Sequence, residues 1–339
     1  MGARMTEIVP HIRQQGGLVA EYPQILQFIE DQLSVFWTHG EIRLDKDIQD
    51  ILVNLTNAER HGVLEVLKLF TKYEVFAGSE YWNGRFAKIY PRIEFQELSA
   101  VNGMMELAIH KRFYQNINEK LRIHTNEFYE EYKEDPILAE RMKFLDEMVN
   151  DEDHFLSVAV FSMLEGAVLY SAFAYLKHFQ SNGKNKMKAL VSGINFSVRD
   201  ENIHAQAGAW TFREDIRQSK LSPERLAALY EKIYAAADKL REHEHHVSSK
   251  IFAKGRHDGI TEHQLNNFTD SRLDLCLEDL GLSARFKPAS NPIADWFYLA
   301  ISNAKIHDFF NSQGNDYNRN WSEQAFDWNW QPEEVKGTL

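Results

Sequence analysis

Six residues carry most of the chemistry that can be read from this sequence. Glu106 and His110 stand four apart, and Glu201 and His204 three apart. Either spacing puts both side chains on one face of a helix. Glu165 lies within the apolar run from Met163 to Leu169, and Glu74 follows Phe70 and Tyr73. An ionised carboxylate among apolar neighbours is costly unless it is paired or bound to a metal. One arrangement answers all six at once: a four-helix bundle that takes a Glu from each of two helices and a Glu/His pair from each of the other two, enclosing two metal ions. Carboxylate oxygens with one imidazole per metal suit iron or manganese. A single Glu/His pair is common, so the reading rests on the chain order Glu, Glu/His, Glu, Glu/His. Glu80, Glu94 and Glu97 fall outside that order, and Glu80 is the competitor to Glu74. Tyr114, four residues after His110, lies one turn on and faces the same way. Beside an oxygen-activating metal pair such a tyrosine can be oxidised to a radical; the plainer alternative is a core aromatic whose hydroxyl needs a partner.

The elements that must position these residues read as helices. Thr56 and Glu59 form a capping box ahead of Val63, Leu67 and Phe70. Pro136 opens a second helix, and Ser222-Pro223 sets an N-cap and first-turn proline before an amphipathic segment through Leu229, Ile233, Ala237 and Leu240. Phe155 to Phe179 is apolar almost all round, which predicts a helix buried on every side. Asn182-Gly183 reads as a turn between helices. Strand signals are sparse. The histidine-rich run Glu242–His246 reads as a solvated helix end near the C-terminal dipole, and Asp151–His154 as an acidic helix start. The expected organisation is one helical domain over residues 1–304, then a polar, Asn-rich tail over 305–339 with little aliphatic content of its own.

With 339 residues, 44% of them hydrophobic and 12% aromatic, the chain can bury a large core. The net charge of −12 and the lack of a basic stripe argue against nucleic acid. No apolar run reads as long enough for a membrane span, and no secretory signal is evident. The single cysteine, Cys276, excludes an intrachain disulfide, a multi-cysteine zinc site and dithiol chemistry by this chain alone, and it fits a reducing cytoplasm.

These segments resemble the small, radical-generating subunit of class I ribonucleotide reductase, from roughly Trp37 to Tyr317. In that family a carboxylate, usually Asp, is followed by Glu-x-x-His with a Tyr four residues on, then a Glu on an apolar helix, then Asp-Glu-x-x-His. The resemblance implies an all-α, ferritin-like bundle with additional helices, and Glu74, Glu106, His110, Glu165, Glu201 and His204 as ligands of two metal ions, iron first, with manganese or a mixed pair also accepted. It implies Tyr114 as the radical tyrosine, shielded by apolar neighbours such as Phe173 and formed with molecular oxygen. Phe36-Trp37, with Glu41 and Asp47 beyond it, is similar to the family's N-terminal Trp motif, so Trp37, Asp200 and His110 are the implied path for moving the radical out. Tyr317, after Asn291-Pro292-Ile293 and Trp296, resembles the tail tyrosine that hands it to a large catalytic subunit. The implied assembly is a cytoplasmic homodimer whose tail binds that large subunit, where ribonucleotides are reduced to deoxyribonucleotides. Two departures stand out: Glu74 replaces the commoner Asp, and Glu106 is one residue further from His110 than Glu-x-x-His requires. A local π-bulge would absorb the extra residue. The rival readings are a di-metal oxidase or oxygenase of the same fold acting on an organic substrate, and a non-catalytic ferritin-like iron protein. Neither needs the relay residues.

Overall fold

The computed structural model describes residues 9–298. Tyr317 and the whole tail expected over 305–339 lie outside them. Among the described residues the chain is helical, and the one β-feature is an isolated bridge between His257 and Ile260.

The first long helix, α1 (Pro23–Ser34), buries Ile25, Ile29 and Gln32 in one stripe. α2 (Asp45–Gln49) runs into a π-helical stretch, Asp50–Asn54. α3 (Asn57–Val75) opens on the expected capping box: Thr56 Oγ1 accepts from Glu59 N, and Glu59 Oε2 accepts from Thr56 N. It continues through a π-helical stretch, Phe76–Phe86, into α4 (Ala87–Ile89). α5 (Ile93–Met104) likewise passes through a π segment, Met105–His110, into α6 (Lys111–Lys120). The short α7 (Asn126–Glu130) leads to α8 (Pro136–Val149), capped by Asp135 ahead of its first-turn proline. α9 (His154–Met163), the π segment Leu164–Val168 and α10 (Tyr170–Lys177) make one buried rod. α11 (Lys188–Ser219), α12 (Pro223–Phe252) and α13 (Glu262–Asp279) complete the set.

Four of these rods form the bundle: α3, the α5–α6 rod, the α9–α10 rod, and α11. The α9–α10 rod is central. Every residue from Phe155 to Phe179 is buried, because α11, α12 and α13 cover its faces. Over His154–Gln180 it has the length and hydropathy of a membrane span, contrary to the expectation that no run reaches that length. Its apolar surface is spent on protein neighbours instead. Gly193 in α11 faces Phe113, whose ring fills the space a Cβ would need, so α6 and α11 approach closely.

A second expectation is corrected on α12. That helix runs on to Phe252, so the histidine-rich segment is not its end. His243 and Glu244 are buried there, and Glu244 pairs with Arg141 while accepting from Ser171 Oγ.

Candidate metal centre

All six predicted ligands converge. Glu74 comes from the last turn of α3, Glu106 and His110 from the π segment after α5, Glu165 from the π segment after α9, and Glu201 and His204 from the middle of α11. Each is fully buried. They divide into two groups, Glu74/Glu106/His110/Glu201 and Glu106/Glu165/Glu201/His204, whose ligand atoms lie within 4.8 Å of one another in each group. Glu106 and Glu201 belong to both. His110 Nδ1 lies 3.1 Å from Glu201 Oε1, 3.2 Å from Glu106 Oε2 and 3.6 Å from Glu74 Oε2. His204 Nδ1 lies 2.7 Å from Glu106 Oε1, 3.5 Å from Glu201 Oε2 and 4.0 Å from Glu165 Oε1. Glu80, the competitor to Glu74, is exposed. Glu94 is buried but accepts from the backbone N–H groups of Glu21 and Tyr22, and Glu97 is exposed.

Electrostatics alone leave this cluster unfinished. Burial, then the neighbouring Glu106, pushes the Glu74 carboxyl well up; burial, then Glu201 and Glu106, does the same to Glu165. At Glu106 burial opposes ionisation, yet His110, Glu74 and His204 together outweigh it and hold the carboxyl well down. Burial also opposes a charged His204, but Glu106 and Glu201 outweigh it and raise the imidazole to about 9. Both oxygens of Glu74, both of Glu201, Oε2 of Glu165 and both nitrogens of His204 make no well-formed hydrogen bond. Buried polar atoms without partners are rare. Hard oxygen donors with one imidazole in each group are what two divalent iron or manganese ions take, so the residues fit a metal pair.

The surroundings orient these side chains. His110 Nε2 lies 2.9 Å from Asp200 Oδ2, which accepts from Trp37 Nε1 at 2.7 Å, and Trp37 stacks on His110 with centroids 5.9 Å apart. Trp37, Asp200 and His110 are thus joined by two consecutive hydrogen-bond contacts. Gln32 Nε2 donates to the other oxygen of Asp200 at 3.0 Å. Gln32 was not anticipated, although a polar residue in the apolar stripe of α1 is a signal for it. Nor was Trp82, whose Nε1 donates to Glu165 Oε1 at 2.8 Å. It stands eight residues after Glu74, about two turns on, and emerges from the π segment that follows α3.

Tyr114 is fully buried on α6. Its ring stacks on Phe70 at 4.4 Å, and Phe70 stacks on Phe173 at 5.2 Å, so Phe173 acts one ring removed. Its hydroxyl has one long contact, 3.5 Å to Ser197 Oγ. Burial first, and then Glu74, raises its pKa well above the ordinary phenol value.

Residues 18–292 match the family model described as ribonucleotide reductase, small chain. The chain is 25% identical over 304 residues to the ribonucleoside-diphosphate reductase subunit beta of Bacillus phage SPbeta, covering 86% of this chain and 88% of that one. It is 22% identical over 330 residues to a probable ribonucleoside-diphosphate reductase small subunit of Invertebrate iridescent virus 3, covering 91% and 85%. Among solved structures it is similar to a putative class I ribonucleotide reductase from Bacillus halodurans, with a TM-score of 0.71, 20% identity, and coverage of 80% of this chain and 97% of that one. It is also similar to dimanganese(II)-NrdF of Streptococcus sanguinis, with a TM-score of 0.71, 19% identity, and coverage of 82% and 96%.

Proposed function

The chain belongs to the ribonucleotide reductase small-chain family, and from that premise we propose that its buried cluster holds two metal ions and that Tyr114 stores the oxidising equivalent made there. It is the small subunit of ribonucleoside-diphosphate reductase, an oxidoreductase whose family membership implies a large-subunit partner. The observation that carries the metal reading is the pair of ligand groups sharing Glu106 and Glu201. Glu74 and His110 would hold one ion, Glu165 and His204 the other, and the two shared carboxylates both. When bound, a pair of such ions supplies the electrons that activate molecular oxygen. Iron is our first assignment, with manganese or a mixed pair accepted by the same donors.

The chain's own residues do the rest. Phe70 and Phe173 keep water from the Tyr114 ring. A phenol whose pKa is raised stays protonated, so its oxidation must release a proton, and the weak Ser197 contact leaves that proton little held. Asp200 fixes the His110 tautomer by taking Nε2–H and leaving Nδ1 for a metal. The same carboxylate takes the Trp37 indole proton, coupling the cluster to Trp37. Onward transfer through Tyr317 to the large subunit, docking through residues 305–339, the homodimer and the cytoplasmic setting belong to this proposal. The unbroken Trp37–Asp200–His110 chain favours a radical carrier over an oxygenase, which has no use for it.

The test is low-temperature electron paramagnetic resonance on protein loaded with iron(II) or manganese(II) and exposed to oxygen, beside a Tyr114→Phe variant. The expected result is a tyrosyl signal that the variant lacks. Metal uptake with no tyrosyl signal overturns the role of Tyr114, and no metal uptake overturns the whole reading.

A further inference from the structure

Three arginines are buried among the described residues, and two of them have an acid in contact. Arg92 lies against Glu21 and Glu94, and Arg141 against Glu244. Arg272, in the middle of α13, is the exception. Its Nε donates to the Gly166 carbonyl at 2.8 Å and its Nη1 to the Tyr298 hydroxyl at 3.0 Å, and its guanidinium lies 3.9 Å from the centre of the Tyr170 ring. All three partners are neutral. The acid whose field reaches it, Asp279, is not in ion-pair contact and accepts from Gln206 Nε2 instead, at 2.6 Å. A guanidinium does not shed its proton to escape burial, and a buried charge without a counter-charge is costly. The contact with the Tyr170 ring offsets part of that cost and leaves the positive charge in place.

Arg272 faces a cleft. A cavity of about 520 Å³ opens between α1, α11 and α13, and Arg272, Tyr170 and Tyr298 line it. That is a volume in the range of ligand sites. Arg199 brings a second positive charge to the lining, and its Nη2 donates to the Val35 carbonyl at 2.7 Å. Asn202 adds an exposed amide from α11. The one acid of the lining, Asp31, is exposed and accepts from Gln27 Nε2 at 2.8 Å. Of the three guanidinium nitrogens of Arg272, only Nη2 makes no hydrogen bond to the described residues. Two arginines against a single exposed acid favour a doubly charged anion, and guanidinium N–H groups are the donors that phosphate oxygens match best.

We propose that this cleft binds a phosphate dianion on Arg272. The anion supplies the counter-charge that the chain's own acids give to Arg92 and Arg141. The site is separate from the metal centre and stands on charge and cavity alone, whether or not metal is bound. It nevertheless adjoins that centre, because Arg272 holds the carbonyl of Gly166, the residue after Glu165.

The test is equilibrium dialysis of metal-free, full-length protein against labelled inorganic phosphate. The expected result is saturable uptake of one phosphate per chain. Arg272→Met removes the cation and should abolish uptake. Because Arg272 also holds the Gly166 carbonyl, a second variant that leaves the core alone is run beside it. Asn202→Asp alters an exposed side chain and sets a negative charge in the lining. It should weaken phosphate by about tenfold or more, since a like charge close by opposes the bound anion, while the unfolding midpoint stays at the wild-type value. Wild-type protein that takes up no phosphate saturably overturns the proposal, and so does wild-type affinity in Asn202→Asp. Neither result touches the two-metal reading, which manganese(II) uptake by the same preparation checks separately.

Discussion

Replacing Glu165 by Gln should move stability in opposite directions with and without metal. The carboxylate is fully buried, accepts one hydrogen bond from Trp82 Nε1 on Oε1, and has no donor at Oε2. Burial, then Glu201 and Glu106, raises its pKa. An acid whose folded pKa is raised destabilises the fold above its unfolded pKa and costs nothing below it, where both states are protonated. The metal-free Gln variant, which keeps the oxygen facing Trp82, should therefore gain stability at neutral pH, by about 2 kcal/mol on the scale of other buried-charge replacements. The gain should vanish as pH falls below about 4.5, the ordinary Glu range. With metal the sign reverses. At a free-metal concentration one hundred times Kd the wild type gains about 2.7 kcal/mol, whereas a variant that binds about a hundredfold more weakly gains about 0.4 kcal/mol. Denaturant unfolding of both proteins, with and without manganese(II), measures all four values through the shift in midpoint at constant m. A metal-free Gln variant less stable than wild type, or equal metal-induced gains in both, would refute the reasoning, because Glu165 would then be a structural partner and not a ligand.

Three further outcomes follow from the same geometry. Asp200→Ala, which removes the acceptor shared by Trp37 and His110, should leave the tyrosyl signal but abolish ribonucleotide reduction with the large subunit, read by radical quantitation beside turnover. Lys177 is buried and its pKa is pushed down by burial to about 7, so the fold carries a penalty that is complete below pH 7 and fades as pH rises towards the free lysine value. Lys177→Met should raise the unfolding midpoint at pH 7 and lose that advantage near pH 10, with the Phe297 ring and carbonyl, both of which favour the charged amine, trimming the gain. Arg141→Met strands the buried Glu244 carboxylate and should cost about 3–5 kcal/mol, most of it recovered by adding Glu244→Leu, as thermal melts of the single and double variants would show.

What was legible follows from physical period. The six clustered residues could be found because spacings of three and four mark a helix face, and because a carboxylate such as Glu165 has no inexpensive reason to stand in an apolar rod. The caps at Thr56 and Ser222 were legible because a hydroxyl followed by a carboxylate or a proline is local chemistry. Burial decided by distant partners was not legible. Glu244 looked like a solvated helix end because its ion-pair partner, Arg141, lies on α8, over a hundred residues earlier. The α9–α10 rod was recognised as apolar all round, but only its covering by α11, α12 and α13 says that protein and not lipid surrounds it.

The π segments are the deeper limit, and they bear on the one departure at the metal centre. Three of the four such stretches among the described residues adjoin or contain members of the cluster: Phe76–Phe86 begins two residues after Glu74, Met105–His110 contains Glu106 and His110, and Leu164–Val168 contains Glu165. An α-helix bonds each N–H to the fourth residue back, whereas a π turn reaches the fifth and so takes more residues to come round. Four steps then bring Glu106 closer to directly beneath His110 than four steps of an α-helix would. The extra residue relative to Glu-x-x-His is therefore taken up inside the turn, and both side chains still reach one metal position: Glu106 Oε2 and His110 Nδ1 lie 3.2 Å apart. Removing one residue between them should be tolerated only if the segment reverts to an α-helix, and that would shift the phase of all of α5 against α1 and the stretch after α3. The wide turn is thus coupled to the packing of a whole helix, which is why spacing alone announced the cluster but not the backbone that delivers it.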